Sequence, residues 1–234
     1  VLRREGGGNT ADPADYTALT EQLHGQTIYL APDSHSYLNP MDLDLSTDVG
    51  ESPMLMQADF LLSQCELMMA SYGNPLMPIE KSLIDRCISL VYRDYLKNPR
   101  PENMPVLGDL YQCLREQHNS RADDLATAME IYVTGSLSYL NHRTNVDLNN
   151  RMVCYNTSKL GQGLKKLVMS NVQKHIWQRT AVNRYAGITT RIFLDEFHLL
   201  LKEPQTAAYT AEIYKRFRKW NGIPTALTQN VKDL

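Results

Sequence analysis

Apolar residues along the chain follow two spacings: short runs bounded by turn residues, and longer stretches that return every three or four positions. Residues 1–10, with Gly6-Gly7-Gly8, read as linker. Asp12-Pro13 precedes a short amphipathic helix over 16–23, which Gly25 closes. Residues 26–31 read as a strand and 32–45 as a loop holding Asn39-Pro40. From Pro53 to Gly135 the pattern turns wholly helical, with helices expected over 54–72, 79–96, 106–116 and 122–133. The second carries Ile79, Leu83, Cys87, Val91 and Tyr95 on one face, and Pro78 suits its first turn. Asp123 and Asp124 favour the start of the fourth through the helix dipole. After Gly135 come a strand over 151–155, a helix over 163–185, a strand over 190–194, a helix over 206–221 and a strand over 225–228.

Strands alternating with helices of this length predict an α/β fold with a mostly parallel sheet covered on both faces. The helical block is then an insertion. The expected organisation is a core from 1–50 and 136–234 and an all-helical insertion subdomain over 51–135. At 234 residues and 43% hydrophobic content, the chain is long enough for one large domain of this kind.

Composition removes several function classes. The net charge of -2 gives no overall pull toward nucleic acid or an anionic membrane, so a DNA-binding role would need a local patch or an assembled ring. The four cysteines form no C-x-x-C pair and read as buried, reduced thiols. No apolar run reaches the ~20 residues that span a bilayer, and no secretory leader pattern is present. The six histidines lack ligand spacing, so no structural metal is expected.

The chemistry concentrates in Ile192-Phe193-Leu194-Asp195-Glu196, an apolar strand ending in two acids. Open α/β sheets bind ligands at the carboxyl ends of their strands. In nucleotide hydrolases the first acid of such a Walker B pair helps hold Mg²⁺, usually through water, and the second polarises the attacking water. The competing reading is a helix start, where acids suit the dipole. Downstream, Thr225–Thr228 leads into Gln229, which reads either as a sensor of the ATP γ-phosphate or as a turn residue. Lys215-Arg216-Phe217-Arg218-Lys219 reads either as a solvated basic face or as the source of a trans-acting arginine, Arg216 or Arg218, that reaches a neighbouring subunit's γ-phosphate. The chain contains no G-x-x-x-x-G-K-[ST] Walker A motif. Gly161-Gln162-Gly163-Leu164-Lys165-Lys166 comes nearest, with the wrong spacing and no Ser or Thr. Asn156-Thr157-Ser158 fits a glycosylation pattern without secretory context.

Four stretches together carry a family resemblance. They are Asp12-Pro13 with Tyr16; Leu38-Asn39-Pro40-Met41-Asp42; Gly135-Ser136-Leu137 with Asn141-His142-Arg143-Thr144-Asn145-Val146; and the Ile192–Leu201 segment with Thr228-Gln229-Asn230-Val231-Lys232-Asp233-Leu234. In this order they resemble the VirB-four (TraC-like) ATPases of conjugative type IV secretion systems, in particular the Gram-positive conjugative-transposon branch. Asp15 departs from the Glu common in the first element.

The resemblance implies a RecA-like P-loop NTPase core with a helical insertion. It implies a homo-oligomer such as a hexamer, with ATP and Mg²⁺ as cofactors and other type IV secretion components as partners. It implies peripheral attachment to the cytoplasmic face of the cell membrane. By carry-over, Asp195 serves Mg²⁺, Glu196 activates water, Gln229 senses the γ-phosphate, and Arg216 or Arg218 acts in trans. The family's Walker A is expected upstream of Val1, so the chain reads as a carboxyl-terminal fragment that alone binds ATP weakly or not at all. Two alternatives stay open: a DNA-pumping translocase or coupling protein of the same superfamily, with DNA as partner, and a non-hydrolysing scaffold.

Overall fold

The computed structural model describes residues 16–45, 52–69, 75–195, 197, 201 and 204–228, without the side chains of 162, 204–206, 208, 209, 212 and 213. Among these are seven helices: α1 (Tyr16–Gln22), α2 (Pro53–Met69), α3 (Pro78–Lys97), α4 (Leu107–Arg115), α5 (Ser120–Val133), α6 (Gln162–Tyr185) and α7 (Pro204–Lys219). The strands are β1 (Gln26–Tyr29), β2 (Val153–Asn156), β3 (Thr190–Leu194) and β4 (Gly222–Ala226). They form two parallel pairs among the described residues, β1 with β2 and β3 with β4. This is the α/β class expected, in small sheets.

The chain divides into two compact units. The first comprises Val1–Ser36, Val146–Gly161 and Val172–Leu234, and the second Tyr37–Asn145 and Gln162–Asn171. The loop 37–45 and residues 136–145 and 162–171 thus group with the helices rather than with the strands.

In the second unit, α3 packs on α2 and α4, and α4 on α5. The buried face of α3 is Leu83, Ile84, Cys87, Ile88, Tyr92 and Tyr95, whereas Ile79 is exposed. A strict four-residue ladder drifts around a helix of 3.6 residues per turn, so the true face alternates steps of three and four. The Glu80 carboxylate accepts the Met77 N–H at 2.8 Å, which satisfies one orphan donor at the helix start. The start of α5 is set by Asn119, whose side chain accepts from the backbone of Arg121 and Ala122.

The loop 37–45 is held from several sides within this unit. Asn39 is fully buried: its Nδ2 donates to Pro105 O at 2.8 Å, and its Oδ1 accepts the Met41 N–H at 3.0 Å. Loop carbonyls take further side-chain donors: Asn171 Nδ2 on Leu38 O, Gln57 Nε2 on Pro40 O, Tyr92 OH on Met41 O and Tyr95 OH on Leu43 O. A loop buried this way needs each polar backbone group paired. The Asn39, Asp42, Thr144 and Asn145 positions of the sequence motifs supply that pairing. Thr144 Oγ1 donates to the Asp42 carboxylate, and Asn145 Oδ1 accepts the Tyr37 N–H.

In the first unit, α1 ends in a Schellman turn: Gly25 N–H donates to Thr20 O and His24 N–H to Glu21 O. The left-handed residue is His24 at φ 55°, not Gly25. Gly25 is required for a different reason, since a Cβ there would stand 2.9 Å from Met152 O. The long α6 ends in the same motif, with Gly187 at φ 68°. β4 begins at Gly222, three residues before the expected position, and α7 ends at Lys219, before the expected 221.

Candidate functional site

The sequence of β3 alternates in burial, with Ile192 and Leu194 inside and Arg191 and Phe193 exposed. It pairs in register with β4, Leu194 opposite Ala226. The ladder runs past the strand ends: Leu227 N–H donates to Leu194 O at 2.8 Å, and Phe197 N–H donates to Leu227 O at 3.0 Å. Leu227 therefore bonds on both sides of the Asp195-Glu196 step. This places Asp195, half-buried in a turn, at the carboxyl end of a parallel pair, where ligands of α/β sheets sit. Thr228 follows directly on the neighbouring segment. Glu196 and Gln229 themselves lie outside the described residues. So do Asp12, Pro13 and 230–234.

Asp195 is close enough to Tyr16, at the start of α1, to act on it electrostatically. Burial first, and then the Asp195 carboxylate, push the Tyr16 phenol above its usual range. No group of three or more His, Cys, Asp or Glu able to hold a metal occurs among the described residues. A single carboxylate still fits Mg²⁺, which is commonly bound by one or two carboxylates together with substrate phosphates and water.

The two candidate trans arginines sit at the end of α7 in different surroundings. Arg216 is half-buried, with its guanidinium 5.8 Å from the Trp177 ring centroid. Trp177 stacks on Trp220 at 3.9 Å with 25° between the ring planes, and Arg184 covers Trp220 at 5.4 Å. The stacked indoles thus carry one arginine each, Arg216 at Trp177 and Arg184 at Trp220. Each cation on an indole contributes roughly 0.5–2 kcal/mol depending on desolvation. Arg218 is exposed.

Aromatic contacts continue from this stack toward the acids. Phe217 lies 5.9 Å from Trp177, Tyr214 6.3 Å from Phe217, and Phe197 5.3 Å from Tyr214. Phe197 is the second residue after Asp195. Burial pushes the Tyr214 hydroxyl up to about 12. Both tryptophans are buried, and nothing in the sequence alone points to the arginines beside them. The signal, two Trp and two Arg on separate segments, becomes visible only once α6 and α7 are packed.

A second feature at strand ends was also missed. Tyr29, Ala31, Asp33, Ser34, Asn156, Ser158 and Lys159 line a cleft of about 200 Å³ beyond β1 and β2. Asn156 is buried, and its Oδ1 accepts both the N–H and the hydroxyl of Ser158. That leaves the Asn156-Thr157-Ser158 sequon as structure rather than as an acceptor on an exposed loop.

No protein-family model matches the chain, and no curated protein matches it in sequence. Among solved structures, the chain superposes on VirB4 of Thermoanaerobacter pseudethanolicus with a TM-score of 0.79, at 20% identity, over 94% of its own length. The chain has the VirB4 fold. It spans 61% of the VirB4 chain it matches. At this identity the likeness concerns the fold, and it agrees with the resemblance carried by the sequence motifs.

Proposed function

We propose that the chain is part of a VirB4-like ATPase motor of a conjugative type IV secretion system, hydrolysing ATP to power transfer or assembly of the apparatus. The observation that carries this reading is Asp195 at the carboxyl end of a parallel strand pair, within a fold shared with VirB4 over 94% of the chain. In this reading the strand-bearing segments form a RecA-like core, and the helices inserted between β1 and β2 form its subdomain. Asp195 would hold Mg²⁺ through water. Glu196 would take the proton of the attacking water, and Gln229 would contact the γ-phosphate. Bound Mg²⁺ would supply charge neutralisation of the phosphates. An arginine from a neighbouring copy, Arg216 or Arg218, stabilises the charge that develops on the transferred group. The motor works as a homo-oligomer, hexameric by family resemblance, beside other secretion components on the cytoplasmic face of the membrane.

The test is Mg²⁺-dependent ATP hydrolysis by the full-length natural chain that carries this sequence. Wild type should turn over ATP, and Glu196→Gln should lose turnover while keeping nucleotide binding. Unchanged turnover in Glu196→Gln would refute the assigned base. Hydrolysis that requires DNA would favour the translocase reading.

A further inference from the structure

We propose that the cleft beyond β1 and β2 is a binding site for a guanine base, separate from the chemistry assigned to the Asp195 end of β3. This does not rest on the ATPase reading, since no residue named for hydrolysis lines the cleft.

The cleft lies at the carboxyl end of a parallel pair, the place where α/β sheets take their ligands. Tyr29 and Asn156, the last residues of β1 and β2, are register partners, and both line it. Each strand then turns sharply. After β1, the Ser34 N–H and hydroxyl both donate to Ala31 O, at 2.9 and 2.8 Å, and Ser34 Oγ accepts the Ala31 N–H at 3.2 Å. That closed turn carries Asp33. After β2, Asn156 Oδ1 accepts from the backbone and the hydroxyl of Ser158, and this turn carries Lys159. Lys159 Nζ stands 4.0 Å from Asp33 Oδ2, with both side chains mostly exposed, so the pair is too loose and too well hydrated to keep the cleft shut.

The polar groups left over define the ligand. Asn156 is over nine-tenths buried, Ser158 occupies its Oδ1, and its Nδ2 has no hydrogen-bond partner among the described residues. Buried amide donors are normally paired, so this one calls for an acceptor. Lys159 offers a second donor, which excludes a bare cation. Asp33 offers a carboxylate, which excludes a simple anion. Tyr29 adds an aromatic wall: its hydroxyl donates to Thr17 Oγ1 at 3.5 Å, and the side chain stays half exposed. The volume of about 200 Å³ falls below the ~300–1,000 Å³ of pockets that enclose drug-sized ligands, so one ring system fits and a whole nucleotide does not.

A flat ring system with acceptors at one edge and two adjacent donors at another is guanine. Its N1–H and 2-amino group meet a carboxylate side by side, O6 and N7 take the donors, and the rings stack on tyrosine. Adenine and cytosine set a ring acceptor beside their amino donor, and that acceptor meets the Asp33 carboxylate with repulsion.

The experiment is calorimetry on the full-length natural chain, with Mg²⁺-ATP in excess to fill the hydrolysis site. GMP should bind roughly tenfold or more tightly than AMP or CMP, the scale of one bidentate contact to a base. Asp33→Asn, on an exposed turn, should keep the melting temperature and weaken GMP by roughly the same factor. It should also strengthen xanthosine monophosphate, whose 2-carbonyl accepts from the new amide where guanine's amino group donates. A short thymidine strand holding one dG presents the same base on single-stranded DNA. Tighter binding of the strand than of GMP, lost in Asp33→Asn, supports the site and makes single-stranded DNA its source. Tighter binding of GMP makes the source a free nucleotide.

Binding of neither GMP nor the strand, equal binding of GMP and AMP, or GMP binding that appears only when ATP is left out overturns the proposal. So does an Asp33→Asn protein that keeps its affinity for GMP, or loses it without gaining xanthosine monophosphate.

Discussion

The Asn39 backbone N–H donates to Thr144 Oγ1 at 2.8 Å, joining two segments 105 residues apart. The pair belongs to the second unit's buried loop, whose carbonyls are taken by Asn171, Gln57, Tyr92 and Tyr95. These residues look like motif chemistry in the sequence. In the structure they are the hydrogen-bond partners that let a loop be buried.

Asn39→Ala removes the acceptor of Met41 N–H and the donor to Pro105 O, both in a fully buried setting. Each orphaned group costs about 1–3 kcal/mol. The expected loss is therefore about 2–6 kcal/mol, read as a lower urea midpoint with an unchanged m-value. Asn39→Asp should do no better, since it keeps an acceptor but loses the amide donor and buries a charge. A variant as stable as wild type would show that the loop is not held from this position.

His24 occupies the left-handed position that closes α1, at φ 55°. A side chain there costs roughly 1–2 kcal/mol, and glycine avoids that cost while losing some chain entropy. His24→Gly should therefore raise stability by about 0.5–1 kcal/mol. Thermal melting reads the change directly. A lowered melting temperature would mean that the imidazole contributes more than its backbone strain costs.

His175 lies fully buried on α6, and its Nε2 has no partner among the described residues. Burial first, then the neighbouring Lys174 charge, hold the imidazole neutral, pushing it down to about 3 from 6.5. Between those values the unfolded chain takes up a proton that the folded chain does not. Stability from this residue is therefore complete above about pH 6.5 and declines as pH falls toward 3, by at most about 1.4 kcal/mol per pH unit. His175→Leu should flatten that part of the profile. Urea titrations of wild type and variant at pH 7.5 and 5 check it, and a constant difference between the two proteins at both values would rule the residue out as a source of acid sensitivity.

The helical block was legible because side chains on a helix face recur at fixed spacing, and α2 to α5 lie where that spacing put them. The errors came from local signals with two meanings. Strands confine proline to edges and starts, yet Pro224 is the third residue of β4, so the strand begins before the expected 225–228. Gly25 reads as the cap of α1, but the cap is His24 and the glycine serves a close approach to Met152. Of the candidate site, Asp195 was legible as an acid at the end of an apolar run. The difference between Arg216 and Arg218 was not, because both sit in one basic pentapeptide and only the packing of α7 on Trp177 separates them.

The pairing of β1 with β2 sets Gln26 against Val153. On a ribosome adding ~5–20 residues per second, β1 emerges roughly 6–25 s before its partner exists. The helices α2 to α5, whose contacts are close in sequence, have formed long before then, as low contact order allows. Synthesis therefore forms the helices α2 to α5 first and leaves the Gln26–Tyr29 edge unpaired meanwhile. This waiting edge is where a nascent-chain chaperone would find its target.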